Sequence, residues 1–180
     1  MSERWVDIPE FPEYEISDHG NVHSKRNNQP IAPSWNGTGS VKVNFSVEGK
    51  LHTRSVRVLV AEAFVERPTD LESTLHDLEV INIDGDMWNN HYQNLAWRPH
   101  WFVWKYTRQF QDGIPQEYNV PVFNTLTGVL YDSVMDAGIA DAVIWEYVYA
   151  SAIKGTPVYP TGAIYDFVAP GTVSQLKQGL

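Results

Sequence analysis

The stretch from Val80 to Trp97, VINIDGDMWNNHYQNLAW, constrains this chain more than any other. It opens with a short apolar run, Val80-Ile81-Asn82-Ile83. A turn signal, Asp84-Gly85-Asp86, follows, because Asp-Gly supplies left-handed turn geometry and short polar side chains bond their own backbone. A polar segment, Asn89 to Asn94, comes next and closes on Leu95 and Trp97. The spacing predicts a strand, a tight turn and a short Asn-capped helix.

Upstream, Tyr14 and Ile16 alternate, Asp18 to Gly20 turns the chain, and Val22 begins another strand. Val41, Val43 and Phe45 alternate with Lys42, Asn44 and Ser46, the pattern of a half-exposed strand. Glu48-Gly49-Lys50 reads as a hairpin turn and Leu51 to Val56 as the returning strand. Over residues 56–65, Leu59, Val60, Ala63 and Phe64 fall at helical spacing, with Pro68 as the stop. An acidic connection, residues 66–79, leads into the Val80 stretch.

Downstream, RPHWFVWKY (residues 98–106) concentrates aromatic side chains, which either pack a junction or form an interface. Residues 119–167 suggest a β-hairpin, two short helices and a final strand. Ser133 would cap the first helix, Val134 to Gly138. Ala142 to Ile153 would form the second, with Ile144, Val148 and Ala152 on one side. The tail, residues 170–180, reads as loose or partner-dependent.

Composition narrows the function classes. The chain is 43% hydrophobic and 13% aromatic, enough for a real core and against disorder. With no cysteine it can hold neither a disulfide nor a Cys-ligated zinc. No apolar run is long enough for a membrane span, and the N-terminus shows no signal run. The net charge is −9. Eleven of the 13 Lys and Arg lie in residues 1–108, whereas residues 109–180 carry two lysines against seven acids. The C-terminal part is therefore a poor surface for phosphate. Lys25, Arg26, Lys42, Lys50, Arg54 and Arg57 form the basic concentration, a candidate DNA-phosphate surface or the solvated face of a hairpin.

Several of these pieces resemble one family. Trp5-Val6-Asp7-Ile8-Pro9, Tyr14-Glu15-Ile16-Ser17-Asp18, Gly20-Asn21-Val22 and Ser24 resemble the nuclease-associated modular domain that precedes many phage HNH cores. Residues 56–64 resemble the "vHrLVaeaF" helix of that family, with Arg57-Val58 in place of His-Arg. Ile83, Asp84, Gly85, Asn89, Asn90, Asn94, Leu95 and Trp97 match the scaffold of the HNH endonucleases found among phage homing enzymes. Residues 119–167 resemble a second modular repeat. The resemblance implies an α+β chain: a β-rich N-terminal module (1–55), an HNH-like ββα core (56–108) and a small C-terminal α/β module (109–180).

The chemistry that the resemblance implies needs a His general base, an adjacent oxygen ligand and a downstream Asn or His, around one divalent metal. Asn82 stands at the base position, Ile81 at the adjacent ligand and about Val103 at the downstream one, while Asn94 is the middle Asn that fixes the loop. A carboxamide takes no proton from water near neutral pH, and isoleucine offers a hard cation no oxygen. No catalytic residue and no cofactor are therefore expected, with Mg the cofactor if cleavage persists. Asp84, Asp86 and His91 are the remaining metal candidates, although the aspartate of such an "iDG" turn serves backbone bonds. His76, His91 and His100 read as solvated or structural imidazoles.

The expected function is that of a catalytically inactive relative turned to protein binding, as a virion component or host-directed factor in the host cytoplasm or virion. Its partner would be a phage or host protein, met through Trp101, Phe102, Trp104, Trp145, Tyr147 and Tyr149. The alternatives are a metal-dependent DNA endonuclease or nickase with a rearranged site, and a non-cleaving DNA-binding protein. Charge disfavours DNA, and no membrane is involved.

Overall fold

Alternating apolar residues set the first half of the chain into short antiparallel strands. The computed structural model describes residues 2–35, 37, 39–68 and 78–169, so His76 and the tail 170–180 lie outside it. The strands β1 (Trp5–Ile8), β2 (Phe11–Ser17), β3 (Val22–Ser24) and β4 (Gln29–Ile31) pair in that order. Strands β5 (Lys42–Val47) and β6 (Lys50–Ser55) form the hairpin expected from the Val41–Phe45 alternation. Glu48 and Gly49 close it with φ of 50° and 77°, the geometry of a tight two-residue turn. Helix α1 (Val56–Phe64) buries Val56, Leu59, Val60 and Ala61. It ends because Val65 turns extended, at φ −111° and ψ 121°, three residues before Pro68.

The Val80 stretch departs from expectation in one element. Strand β7 (Leu78–Asn82) is followed by a loop and not by a helix. Residues 92–94 make a single 3-10 turn, and His91 is its N-cap instead of lying within a helix. Six residues are too few to repay helix nucleation. Leu95 and Trp97 are buried and alternate with Ala96 and Arg98, so this segment pairs as a strand, β8 (Leu95–Pro99). Val80 faces Trp97, and Ile81 faces Ala96. The ββα helix is formed by the aromatic run, α2 (His100–Asp112).

The described residues fall into two units, Met1–Val103 and Trp104–Leu180. In the first, one core joins Ile8, Phe11 and Ile16 to Phe45, Val60, Val80 and Trp97. The N-terminal sheet docks on the loop before β8: Asp18 O accepts Tyr92 N–H at 2.8 Å, and Arg4 pairs with Asp18 at 2.7 Å. Gly20 has φ +87°, and a Cβ there would lie 2.9 Å from Asn90 Cβ.

The second unit contains β9 (Val122–Asn124), β10 (Leu130–Tyr131), α3 (Val134–Ala140), α4 (Trp145–Lys154) and β11 (Tyr165–Phe167). Its sheet runs β10-β9-β11. Ser133 caps α3 as expected, accepting Asp136 N–H at 3.0 Å. Helix α4 starts three residues later than its periodicity suggests, because Ala142 adopts φ 52° and Ile144 is the N-cap. Val148, Ala163 and Tyr165 are fully buried in its core. The α+β class expected from sequence is the one adopted. Among the described residues, no helix is long and apolar enough to cross a membrane.

Candidate functional site: the Asn82 pocket

Asn82 ends β7 and is buried. Its side chain is committed on both sides. Nδ2 donates to Asn89 O at 2.9 Å and to Asn90 Oδ1 at 3.3 Å. Oδ1 accepts from Arg57 Nη1 at 3.4 Å. A carboxamide so held offers neither a lone pair of useful basicity nor freedom to swing toward a water. Ile81 and Val103 are both buried, at 1% and 6% exposure, and bring hydrocarbon to the positions where the resemblance calls for oxygen.

The loop between β7 and β8 is built from Asx-type bonds. Asp84 Oδ1 accepts Asp86 N–H at 2.9 Å and Asn94 Nδ2 at 2.8 Å, and Oδ2 accepts Asn89 Nδ2 at 2.6 Å. Asp86 Oδ1 accepts Trp88 N–H at 2.9 Å. Asn94 also donates to Asn89 O at 2.8 Å and accepts Asp84 N–H at 3.0 Å. Both carboxylates are thus engaged in the turn. His91 Nδ1 accepts Gln93 N–H, and its ring lies 4.7 Å from that of His19. His100 pairs with Glu79 at 2.6 Å. Among the described residues, no group of three or more His, Cys, Asp or Glu is placed to hold a metal ion. The donor set at residues 81, 82 and 103 does not fit a hard divalent cation.

The basic residues do not form one surface. Strand pairing puts Lys42 on the opposite face of the hairpin from Arg54 and Lys50, since Val43 lies opposite Arg54 and Val47 opposite Lys50. Lys25 pairs with Asp7 at 2.9 Å, and Arg54 with Glu10 at 2.6 Å while lying over Phe11. Arg26 and Lys50 are exposed. Arg57 leaves the group altogether: the first turn of α1 carries it to Asn82.

The aromatic candidates divide likewise. Phe102 is fully buried and belongs to packing, which corrects its reading as an interface residue. Trp101 and Trp104 are 53% and 60% exposed. Trp145, Tyr147 and Tyr149 are half-buried and pack against the core of the second unit. Asn90 was missed as a site residue, because its bond to Asn82 joins the strand end to a loop that sequence patterns do not fold.

Residues 3–51 match the NUMOD4 motif. The H-N-H endonuclease F-TflII of Escherichia phage T5 is 35% identical over 89 residues, covering 49% of this chain and 44% of that protein. An uncharacterised HNH endonuclease of Acanthamoeba polyphaga mimivirus is 28% identical over 94 residues, covering 52% of this chain and 22% of that protein. The chain therefore spans less than half the length of either relative. Among solved structures, the HNH homing endonuclease I-HmuI, described for DNA binding and cleavage, superposes with a TM-score of 0.51 at 21% identity. That match covers 93% of this chain and 99% of the I-HmuI chain, and shows a shared fold.

Proposed function

As a member of the phage-type HNH homing endonuclease family, this chain, we propose, acts on DNA by binding it and does not hydrolyse it through the Asn82 pocket. The observation that carries this reading is the Asn82 carboxamide. It stands where a proton acceptor is needed and is tied to Asn89, Asn90 and Arg57. The DNA part of the reading rests on the family and on the fold shared with I-HmuI. The stretches 1–55, 56–108 and 109–180 are, on this reading, the modules from which the chain was assembled.

A second reading, a metal-dependent endonuclease with a rearranged site, is favoured by the relatives, both named as endonucleases. The His19–His91 pair beside the Asp84 loop is where such a rearrangement would have to lie. The protein-partner reading has the exposed Trp101 and Trp104 on its side and no support from the names of the relatives. The same holds for a virion location.

One assay separates the first two readings. Supercoiled plasmid is incubated with the protein in magnesium or manganese, and bound and nicked fractions are read together. We expect a retarded, fully supercoiled plasmid. Metal-dependent nicks that disappear in His91→Ala or Asp84→Asn would instead establish the second reading.

A further inference from the structure

We propose that Arg57 is an oxyanion-binding site that receives a backbone phosphate of DNA without the help of a divalent metal. The inference rests on the DNA-binding reading above, but its grounds lie in the electrostatics of one side chain. A guanidinium taken out of water needs a compensating anion, or it costs stability. Three other cations of the first unit are compensated in this way: Arg4 by Asp18, Lys25 by Asp7 and Arg54 by Glu10. Arg57 is half-buried, and among the described residues no carboxylate lies within ion-pair distance of it. Its bonded partner is neutral, the Asn82 amide oxygen at 3.4 Å, and its Nε is buried without a partner.

Burial lowers the hold of Arg57 on its proton, and the charge of Glu79 partly offsets that. Glu79 is bonded to His100 at 2.6 Å and makes no ion pair with Arg57. An arginine remains charged under such a shift. Arg57 is thus a half-buried positive charge beside the end of β7, with unfilled donor capacity. A tetrahedral oxyanion with several acceptors matches a planar fork of donors, and a phosphodiester is such a group. The cation is part of the chain, so binding there is independent of magnesium.

The test uses the full chain in EDTA. A fluorescein-labelled duplex is titrated by anisotropy across a series of salt concentrations, with wild type, Arg57→Gln and Lys50→Ala. In parallel, thermal unfolding is followed with and without inorganic phosphate. We expect Arg57→Gln to weaken duplex binding and to make the salt slope shallower by about one. We expect phosphate to raise the wild-type Tm and to leave that of Arg57→Gln unmoved. Without phosphate, Arg57→Gln should unfold no earlier than wild type, because it removes an uncompensated charge; a purely structural arginine would lower the Tm. Duplex binding with the same affinity and slope in wild type and Arg57→Gln overturns the inference while leaving the DNA reading intact. Absence of duplex binding in wild type overturns the DNA reading. A Tm rise with phosphate that Arg57→Gln abolishes would then assign the site to free phosphate.

Discussion

Asn94 shows how much a single side chain holds in this molecule. It donates to Asp84 Oδ1 and Asn89 O and accepts Asp84 N–H, so three groups depend on it. Asn94→Ala leaves them without that partner in a partly shielded loop and should destabilise the chain by about 1–3 kcal/mol, measured by urea unfolding. Asp141 plays the same part in the second unit. Its carboxylate accepts from Asn124 Nδ2 at 2.9 Å, Tyr131 OH at 2.8 Å and Tyr165 OH at 2.5 Å. Burial and the nearby carboxylate hold both phenols protonated well above the ordinary tyrosine range. The folded chain therefore keeps protons that the unfolded chain releases near pH 10. The stabilisation is fully present below that pH and falls as pH rises above it. Alkaline unfolding followed by circular dichroism should move to higher pH in Tyr131→Phe.

At the level of elements, caps and turns decide more than periodicity. Ser133 both accepts Asp136 N–H and donates to Asp136 Oδ2 at 2.7 Å, anchoring a helix of two turns. Ser133→Ala should cost about 1 kcal/mol in chemical denaturation. Helix α2 illustrates the opposite limit. Phe102, Tyr106 and Gln109 are all buried and fall at helical spacing, so the stripe was readable in RPHWFVWKY and its continuation. What the pattern could not supply was the role of Gln109, whose Oε1 accepts Trp145 N–H at 3.1 Å and so satisfies the first turn of α4. That bond links residues 36 positions apart in sequence, and no local signal anticipates it.

For the whole molecule, the first unit is one core shared by the N-terminal strands and the ββα hairpin, and Gly20 is where the two meet. A side chain at Gly20 faces a strained φ and a backbone-proximal clash with Asn90. Gly20→Ala should therefore cost about 2–3 kcal/mol. Hydrogen exchange should show the loss in the first unit, with the amides of Val148 and Tyr165 in the second unaffected. Much of this architecture was legible from local chemistry. The Val41–Phe45 alternation, the Glu48-Gly49 turn, the α1 stripe and the Ser133 cap each act within a few residues, so the sequence alone determined them. It likewise determined that a carboxamide ends β7, because that depends on the identity of one side chain, Asn82. Tertiary structure decided the rest. Cross-strand pairing made Leu95–Pro99 a strand, the pleat scattered the basic residues over two faces, and packing of α1 on β7 set Arg57 against Asn82. Burial and electrostatics arise between segments distant in sequence, and folding is what brings those segments together.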